Sequence, residues 1–172
     1  MSLTPEQIDK RVSDFTEACR REGVKLTYQR LVIFKEIART EEHPDAETVY
    51  KRVRKKLPTI SFDTVYRATS TLEKLGVIYR LHINSDRMRL DANTRPHHHF
   101  VCKKCGLIRD VYIDGLENFK IPDDISGCDQ VQSLHIELKG ICCDCSCQQN
   151  ESEKCNKSKA LGKAHAYQSG AQ

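Results

Sequence analysis

The stretch Ser61-Phe62-Asp63-Thr64-Val65-Tyr66-Arg67-Ala68-Thr69-Ser70-Thr71-Leu72-Glu73-Lys74-Leu75-Gly76, continued by Val77-Ile78-Tyr79-Arg80-Leu81-His82-Ile83, decides the fold. Ser61 can cap a helix. Val65, Ala68, Leu72 and Leu75 then recur at helical spacing, and Gly76 supplies a C-terminal stop. The opposite side carries Asp63, Tyr66, Arg67, Ser70, Thr71 and Lys74. Beyond the glycine, an apolar-rich run to Ile83, a turn at Asn84-Ser85-Asp86 and Met88-Arg89-Leu90 read as a β-hairpin.

Three helices precede this unit. Thr4-Pro5-Glu6-Gln7 is a capping-box start, followed by Ile8, Val12, Phe15 and Cys19 on one face and a stop at Gly23. A second helix runs from Thr27, with Leu31, Phe34 and Ala38 on one face and Ile33 and Ile37 beside it. Asp45 caps a third, which carries Ala46, Val49, Val53 and Leu57 and is expected to end at Pro58. Short helices followed by a hairpin form a winged helix, whose last helix enters the DNA major groove.

Asn93-Thr94-Arg95-Pro96 reads as a linker. Strands are expected at His99–Cys102, Leu107–Ile113 and Val131–Lys139, with a short helix at Gly115–Lys120. The class is therefore α+β. Residues 1–92 form a winged-helix domain, 93–96 a hinge and 97–147 an α/β domain. Residues 148–172 are polar, without apolar period, and read as a disordered tail.

Composition narrows the partners. Residues 1–90 hold 18 Lys+Arg against 13 Asp+Glu, and the remainder 10 against 11. The positive excess thus sits in the N-terminal half, a hint of a polyanion. The N-terminus is polar and no apolar run approaches bilayer length, so no membrane partner and a cytoplasmic location are expected. Nine cysteines in such a chain point to metal binding or redox chemistry over disulfides.

Cys102-Lys103-Lys104-Cys105 and Cys142-Cys143-Asp144-Cys145 form two CxxC pairs. Two pairs supply the four thiolates that tetrahedral zinc prefers, each at about 2.3 Å. Cys143 and Cys147 could displace Cys142 or Cys145; the matched spacing favours 142 and 145. A thioredoxin-like redox motif would come singly, at a helix start. Cys128 and Cys155 receive no role. His97-His98-His99 opens the second domain. On a strand, His97 and His99 face one way and His98 the other. Imidazole pairs with nearby carboxylates suit Fe(II) or Mn(II), and Asp91 and Asp110 bracket the histidines, with His43 in a loop upstream.

Five motifs now resemble one family in order. Leu26-Thr27-Tyr28-Gln29-Arg30, His43-Pro44-Asp45-Ala46, Ser61-Phe62-Asp63-Thr64-Val65-Tyr66-Arg67, His97 to Gly106 and Gly140 to Cys145 are similar to those of ferric uptake regulator (Fur) repressors, over about residues 4–147. The resemblance implies a homodimer with N-terminal winged helices and C-terminal dimerisation domains, and structural Zn(II) at the four cysteines. It further implies a regulatory metal on His43, Asp91, His97, His99 and Asp110. Asp91, where iron sensors usually carry Glu, is similar to the peroxide-sensing branch. A further metal site of some members would fall on His98, Glu117 and His135, although His135 stands one position closer to Cys142 than the family's usual histidine.

The expected function is a metal-dependent repressor, not an enzyme, on a palindromic double-stranded operator. Tyr66 and Arg67, with Ser61 and Thr64, face DNA; Lys25, Arg30 and Lys74 meet phosphate. In the peroxide reading, His43 and His97 are the oxidation candidates. Rivals are an iron- or zinc-uptake repressor, a zinc hydrolase or deaminase, and a zinc-stabilised interaction module. HExxH is missing, as is HxE with PCxxC, which weighs against the enzyme.

Overall fold

A computed structural model of the chain describes residues 3–81, 88–116 and 134–147. Four helices come first: α1 (Pro5–Arg21), α2 (Tyr28–Ala38), α3 (Ala46–Arg54) and α4 (Phe62–Lys74). Each begins on a side chain that accepts a backbone N–H of the first turn: Thr4, Thr27, Asp45 and Ser61. Two glycines close helices where the chain reverses. Gly23 and Gly76 hold φ of 64° and 68°, and the next residues donate back to Cys19 and Leu72, so these carbonyls stay satisfied.

Two expected boundaries shift. α3 stops at Arg54, before Pro58, because Lys56 and Leu57 both donate to the Val53 carbonyl and tighten the chain into a turn. The hairpin's first strand begins at Tyr79; Val77 and Ile78 are instead buried in the helical core. β1 (Tyr79–Leu81) pairs antiparallel with β2 (Arg89–Asp91), in the register Tyr79↔Asp91. The hairpin turn at 84–86 lies outside the described residues.

The core of this module is aliphatic plus one aromatic pair. Phe15 and Phe34 stack at 4.6 Å between centroids. Around them lie Ile33, Ile37, Val49, Val53, Val65, Leu72 and Ile78, all essentially sealed. Each such side chain contributes about 1.5–3 kcal/mol on burial. Leu90 and Ala92 belong to the same cluster, so the end of β2 is anchored by helical packing.

The second module is a three-stranded sheet in the order β4-β3-β5, with β3 at His98–Cys102, β4 at Ile108–Val111 and β5 at Glu137–Gly140. β3 runs antiparallel to β4 and parallel to β5. A short helix α5 (Cys143–Cys147) follows. Helices and sheets are segregated along the chain, the expected α+β class. β5 starts later than Val131; the run 131–133 is outside the described residues, as are the expected helix beyond residue 116 and the tail. The register His99↔Asp110 sets a histidine and a carboxylate side by side on one face.

Candidate metal centres

Three separate chain segments converge on one buried cluster. His43 comes from the loop between α2 and α3, in the left-handed region at φ 49°. The Leu90 N–H donates to the Pro44 carbonyl at 3.0 Å, tying that loop to β2, whose last residue is Asp91. His97 and His99 enter from β3, and Asp110 lies opposite His99 on β4.

The donor atoms of His43, Asp91, His97 and His99 all lie within 4.8 Å of one another, and all four residues are buried. Asp91 Oδ2 is 3.0 Å from His97 Nε2 and 3.5 Å from His99 Nε2. Asp110 stands at the rim, its Oδ1 2.9 Å from His43 Nε2 and 3.7 Å from His97 Nε2. The two imidazole Nε2 atoms of His97 and His99 face each other at 2.9 Å. All five residues of the expected set are thus in one place.

The polar groups here are poorly satisfied by protein alone. Both ring nitrogens of His43, Asp91 Oδ2 and Asp110 Oδ1 are buried without a hydrogen-bond partner. Leaving such atoms unpaired costs free energy. One cation would satisfy the inward-facing nitrogens and oxygens together, and a mixed imidazole–carboxylate set suits Fe, Mn or Zn. The donor set therefore fits a divalent metal.

Surrounding groups orient these donors. His97 Nδ1 lies 2.7 Å from the Arg95 carbonyl, which turns Nε2 toward the cluster. Burial pushes the Asp91 carboxyl up, but the imidazoles of His97 and His99 beside it outweigh that and hold it well below the usual carboxylate range. Asp110 is likewise lowered, burial being outweighed by His43 and Asn93. His97 is raised, since Asp91 and the Arg95 carbonyl overcome its burial. Sequence reasoning missed Asn93 and Tyr112, the first of them read as linker. Asn93 Nδ2 donates to Asp110 Oδ2 at 2.7 Å and to Tyr112 Oη at 2.8 Å. No spacing rule signals such a residue.

The second centre holds sulfur. Cys102 ends β3 and Cys105 sits in the following turn, where Gly106 at φ 70° donates back to the Cys102 carbonyl. Cys142 follows β5 and Cys145 lies on α5. The four Sγ atoms lie within 4.8 Å of one another. Cys105 Sγ and Cys142 Sγ are 3.6 Å apart, close to the spacing of about 3.8 Å that tetrahedral zinc–sulfur bonds impose. Backbone N–H groups of Cys142 and Cys105 pull the Cys102 thiol down to about 6, favouring thiolate. Cys145, sharing its neighbours' sulfurs, is pushed up to about 12. Cys143 is exposed and Cys147 half-buried, and neither joins the four-sulfur group.

The third expected set is not assembled among the described residues. His98 faces away from His97 and His99, and its Nδ1 accepts from the Ile136 N–H at 3.2 Å. His135 is exposed and near enough to His98 to lower its basicity, after burial. Glu117 lies outside the described residues.

The residues expected to meet DNA lie in the helical module and differ in exposure. Ser61, Tyr66, Arg67, Lys74 and Lys25 are exposed, and Thr64 and Arg30 half-buried. A groove of about 300 Å³ runs between α2 and α4, lined by Thr27, Gln29, Arg30, Asp63, Thr64 and Arg67 among others. Arg67 Nε is paired with Asp63 at 2.8 Å. Arg80, from the hairpin, reaches Glu73 and Ser70 and lies 5.6 Å over the Tyr66 ring.

Known proteins share this fold. The zinc-bound manganese uptake regulator superposes with a TM-score of 0.59 at 27% identity, over 74% of this chain and 98% of that one. The Helicobacter pylori ferric uptake regulator Fur, described as having three functional metal binding sites, shares the fold, with a TM-score of 0.66 at 22% identity over 84% and 96%. The peroxide-responsive repressor PerR of Staphylococcus epidermidis is 30% identical over 146 residues, 84% of this chain and 97% of that protein. The model of the ferric uptake regulator family matches residues 21–140. With a winged helix, a sheet module, a sulfur centre and a histidine–carboxylate centre between them, the chain belongs to the ferric uptake regulator family of metalloregulators.

Proposed function

We propose that this metalloregulator is a homodimeric DNA-binding repressor of the peroxide-responsive type, controlled by Fe(II) or Mn(II) at His43, Asp91, His97, His99 and Asp110. The carrying observation is that His43 belongs to the helical module, whereas His97, His99 and Asp110 belong to the sheet module. An ion held by both favours one relative placement of the two, and that is a population shift with a binding free energy behind it. Residues 1–92 are read as the DNA-binding domain, 93–96 as hinge and 97–147 as the dimerisation domain. Zn(II) at Cys102, Cys105, Cys142 and Cys145 holds the latter together.

Two copies of α4 would meet successive major grooves of a palindrome. Arg67 reads guanine once released from Asp63, and Tyr66 adds an aromatic contact. Lys25, Arg30 and Lys74 meet phosphates. Ser61 and Thr64 lie at the start of the same helix.

Peroxide sensing is supported by Asp91 at the position where the branches differ, and by the 30% identity to a peroxide-responsive repressor. Fe(II), when bound, would supply the electron that reduces peroxide. His43 and His97 would be ligand imidazoles beside that ion, and a ring oxidised there would donate poorly to it. Mass spectrometry of the Fe(II)-loaded protein after peroxide is expected to show oxygen added to His43 or His97, together with operator release. Absence of that addition, with operator release by chelation alone, would favour an iron-uptake repressor.

A further inference from the structure

We propose that Asn93 is a positioning residue that leaves each site carboxylate a single oxygen for the regulatory metal, and so sets the number of ligand atoms offered. The inference rests on the reading of the histidine–carboxylate cluster as a metal site. Asn93 is only 6% exposed. Its backbone N–H donates to Asp91 Oδ1 at 2.7 Å. Its side-chain nitrogen donates one proton to Asp110 Oδ2 and the other to Tyr112 Oη. Its Oδ1 accepts from the Arg95 N–H at 3.3 Å.

This pattern admits one orientation of the amide. A carboxylate only accepts, so the nitrogen must face Asp110; reversal would set two acceptors against each other. Both amide protons are then used, and the side chain is locked.

The consequence falls on the carboxylates. Asp91 Oδ1 and Asp110 Oδ2 are each engaged by Asn93. The remaining oxygens, Asp91 Oδ2 and Asp110 Oδ1, are the two that are buried without a hydrogen-bond partner. They are also the two that face the imidazoles most closely: Asp91 Oδ2 at 3.0 Å from His97 Nε2, and Asp110 Oδ1 at 2.9 Å from His43 Nε2. Asp91 Oδ1 stands farther off, 3.8 Å from His43 Nε2. One residue thus turns one oxygen of each carboxylate inward and retains the other. Three imidazoles and two single oxygens make five donors, which leaves room for a small ligand on an ion that takes six. A carboxylate free to use both oxygens would fill that room.

The two grips differ in kind. Asp91 is held by backbone, which survives substitution, whereas Asp110 is held by the side chain. Removing the Asn93 side chain therefore releases Asp110 alone. Tyr112→Phe removes an acceptor but leaves the bond to Asp110 in place.

The test uses the full chain with its zinc retained and Co(II) as the probe ion. Asn93→Ala is expected to weaken Co(II) binding by about 10- to 100-fold, the usual effect of losing a residue that orients a ligand. It should also lower the visible absorptivity of the bound Co(II), as the coordination number rises. Tyr112→Phe should leave the spectrum unchanged. In an Asp110→Asn background, Asn93→Ala should have no further spectral effect. Asn93→Ser replaces Asn93→Ala if the zinc-loaded form of the latter fails to melt cooperatively. Unchanged affinity and spectrum in Asn93→Ala, or an equal spectral change in Tyr112→Phe, overturns the inference while the metal site stands. An unmodified chain that takes up no Co(II) beyond its zinc overturns the site reading, and this inference with it.

Discussion

His97 has three partners in and around the histidine–carboxylate centre. It touches Asp91, faces His99 and leans on the Arg95 carbonyl. His97→Ala is expected to abolish the second metal while sparing the zinc, since the sulfur centre shares no side chain with it. Metal analysis of the purified variant checks this; loss of both ions would show the two centres to be one cooperative unit. Asp91→Glu is the finer probe. The longer side chain keeps a carboxylate but moves its oxygens out of the position set by the Asn93 N–H. Repression is expected to persist and the peroxide response to disappear, read as operator binding before and after peroxide. A retained response would remove Asp91 as the deciding residue.

At the scale of the element, α4 is built from two independent faces. Val65, Ala68 and Leu72 are buried, while Tyr66 and Arg67 stay exposed. Substitutions on the two faces should therefore separate. Leu72→Ala is expected to cost about 2–5 kcal/mol of stability through the cavity it leaves, measured by urea unfolding. Arg67→Ala should leave stability nearly unchanged, because its ion pair with Asp63 is exposed and such pairs contribute little. It should instead weaken operator binding by roughly 1–3 kcal/mol and relax specificity at one base pair. Lys74→Ala should weaken binding to all sequences alike and reduce the salt slope by about one. Equal loss on operator and random DNA for Arg67→Ala would place it among the phosphate contacts.

Across the whole molecule, two centres divide the labour. The sulfur centre joins the end of β3 to the segment after β5, closing a sheet whose apolar core among the described residues is small: Val101 and Ile108, with Leu81 packed against them. Such a module depends on its ion, since metal affinity there is also folding free energy. Cys102→Ser is expected to unfold the sheet module and abolish dimers while the helical module, with its own core, keeps its helical circular dichroism. Simultaneous loss of all structure would contradict two separable cores. Removing only the histidine-centre ion should leave both modules folded and lower operator affinity.

The sequence by itself determined the local elements and the ligand types. Caps at Thr4, Thr27, Asp45 and Ser61, stops at Gly23 and Gly76, and paired CxxC motifs are short-range signals, decided by backbone hydrogen bonding within a few residues. The opposite facing of His98 also follows from strand alternation. Element ends were less legible: Val77 and Ile78 carry strand-like side chains but are claimed by the helical core. Matched spacing already favoured Cys142 and Cys145; tertiary structure set them against Cys102 and Cys105, with Cys143 and Cys147 outside the four-sulfur group. Tertiary structure alone revealed Asn93, whose role depends on the end of β2, residues 93–95 and the end of β4 meeting in space. Hydrogen bonds between segments 17 to 19 residues apart leave no periodic trace in a chain, so only the folded arrangement displays them.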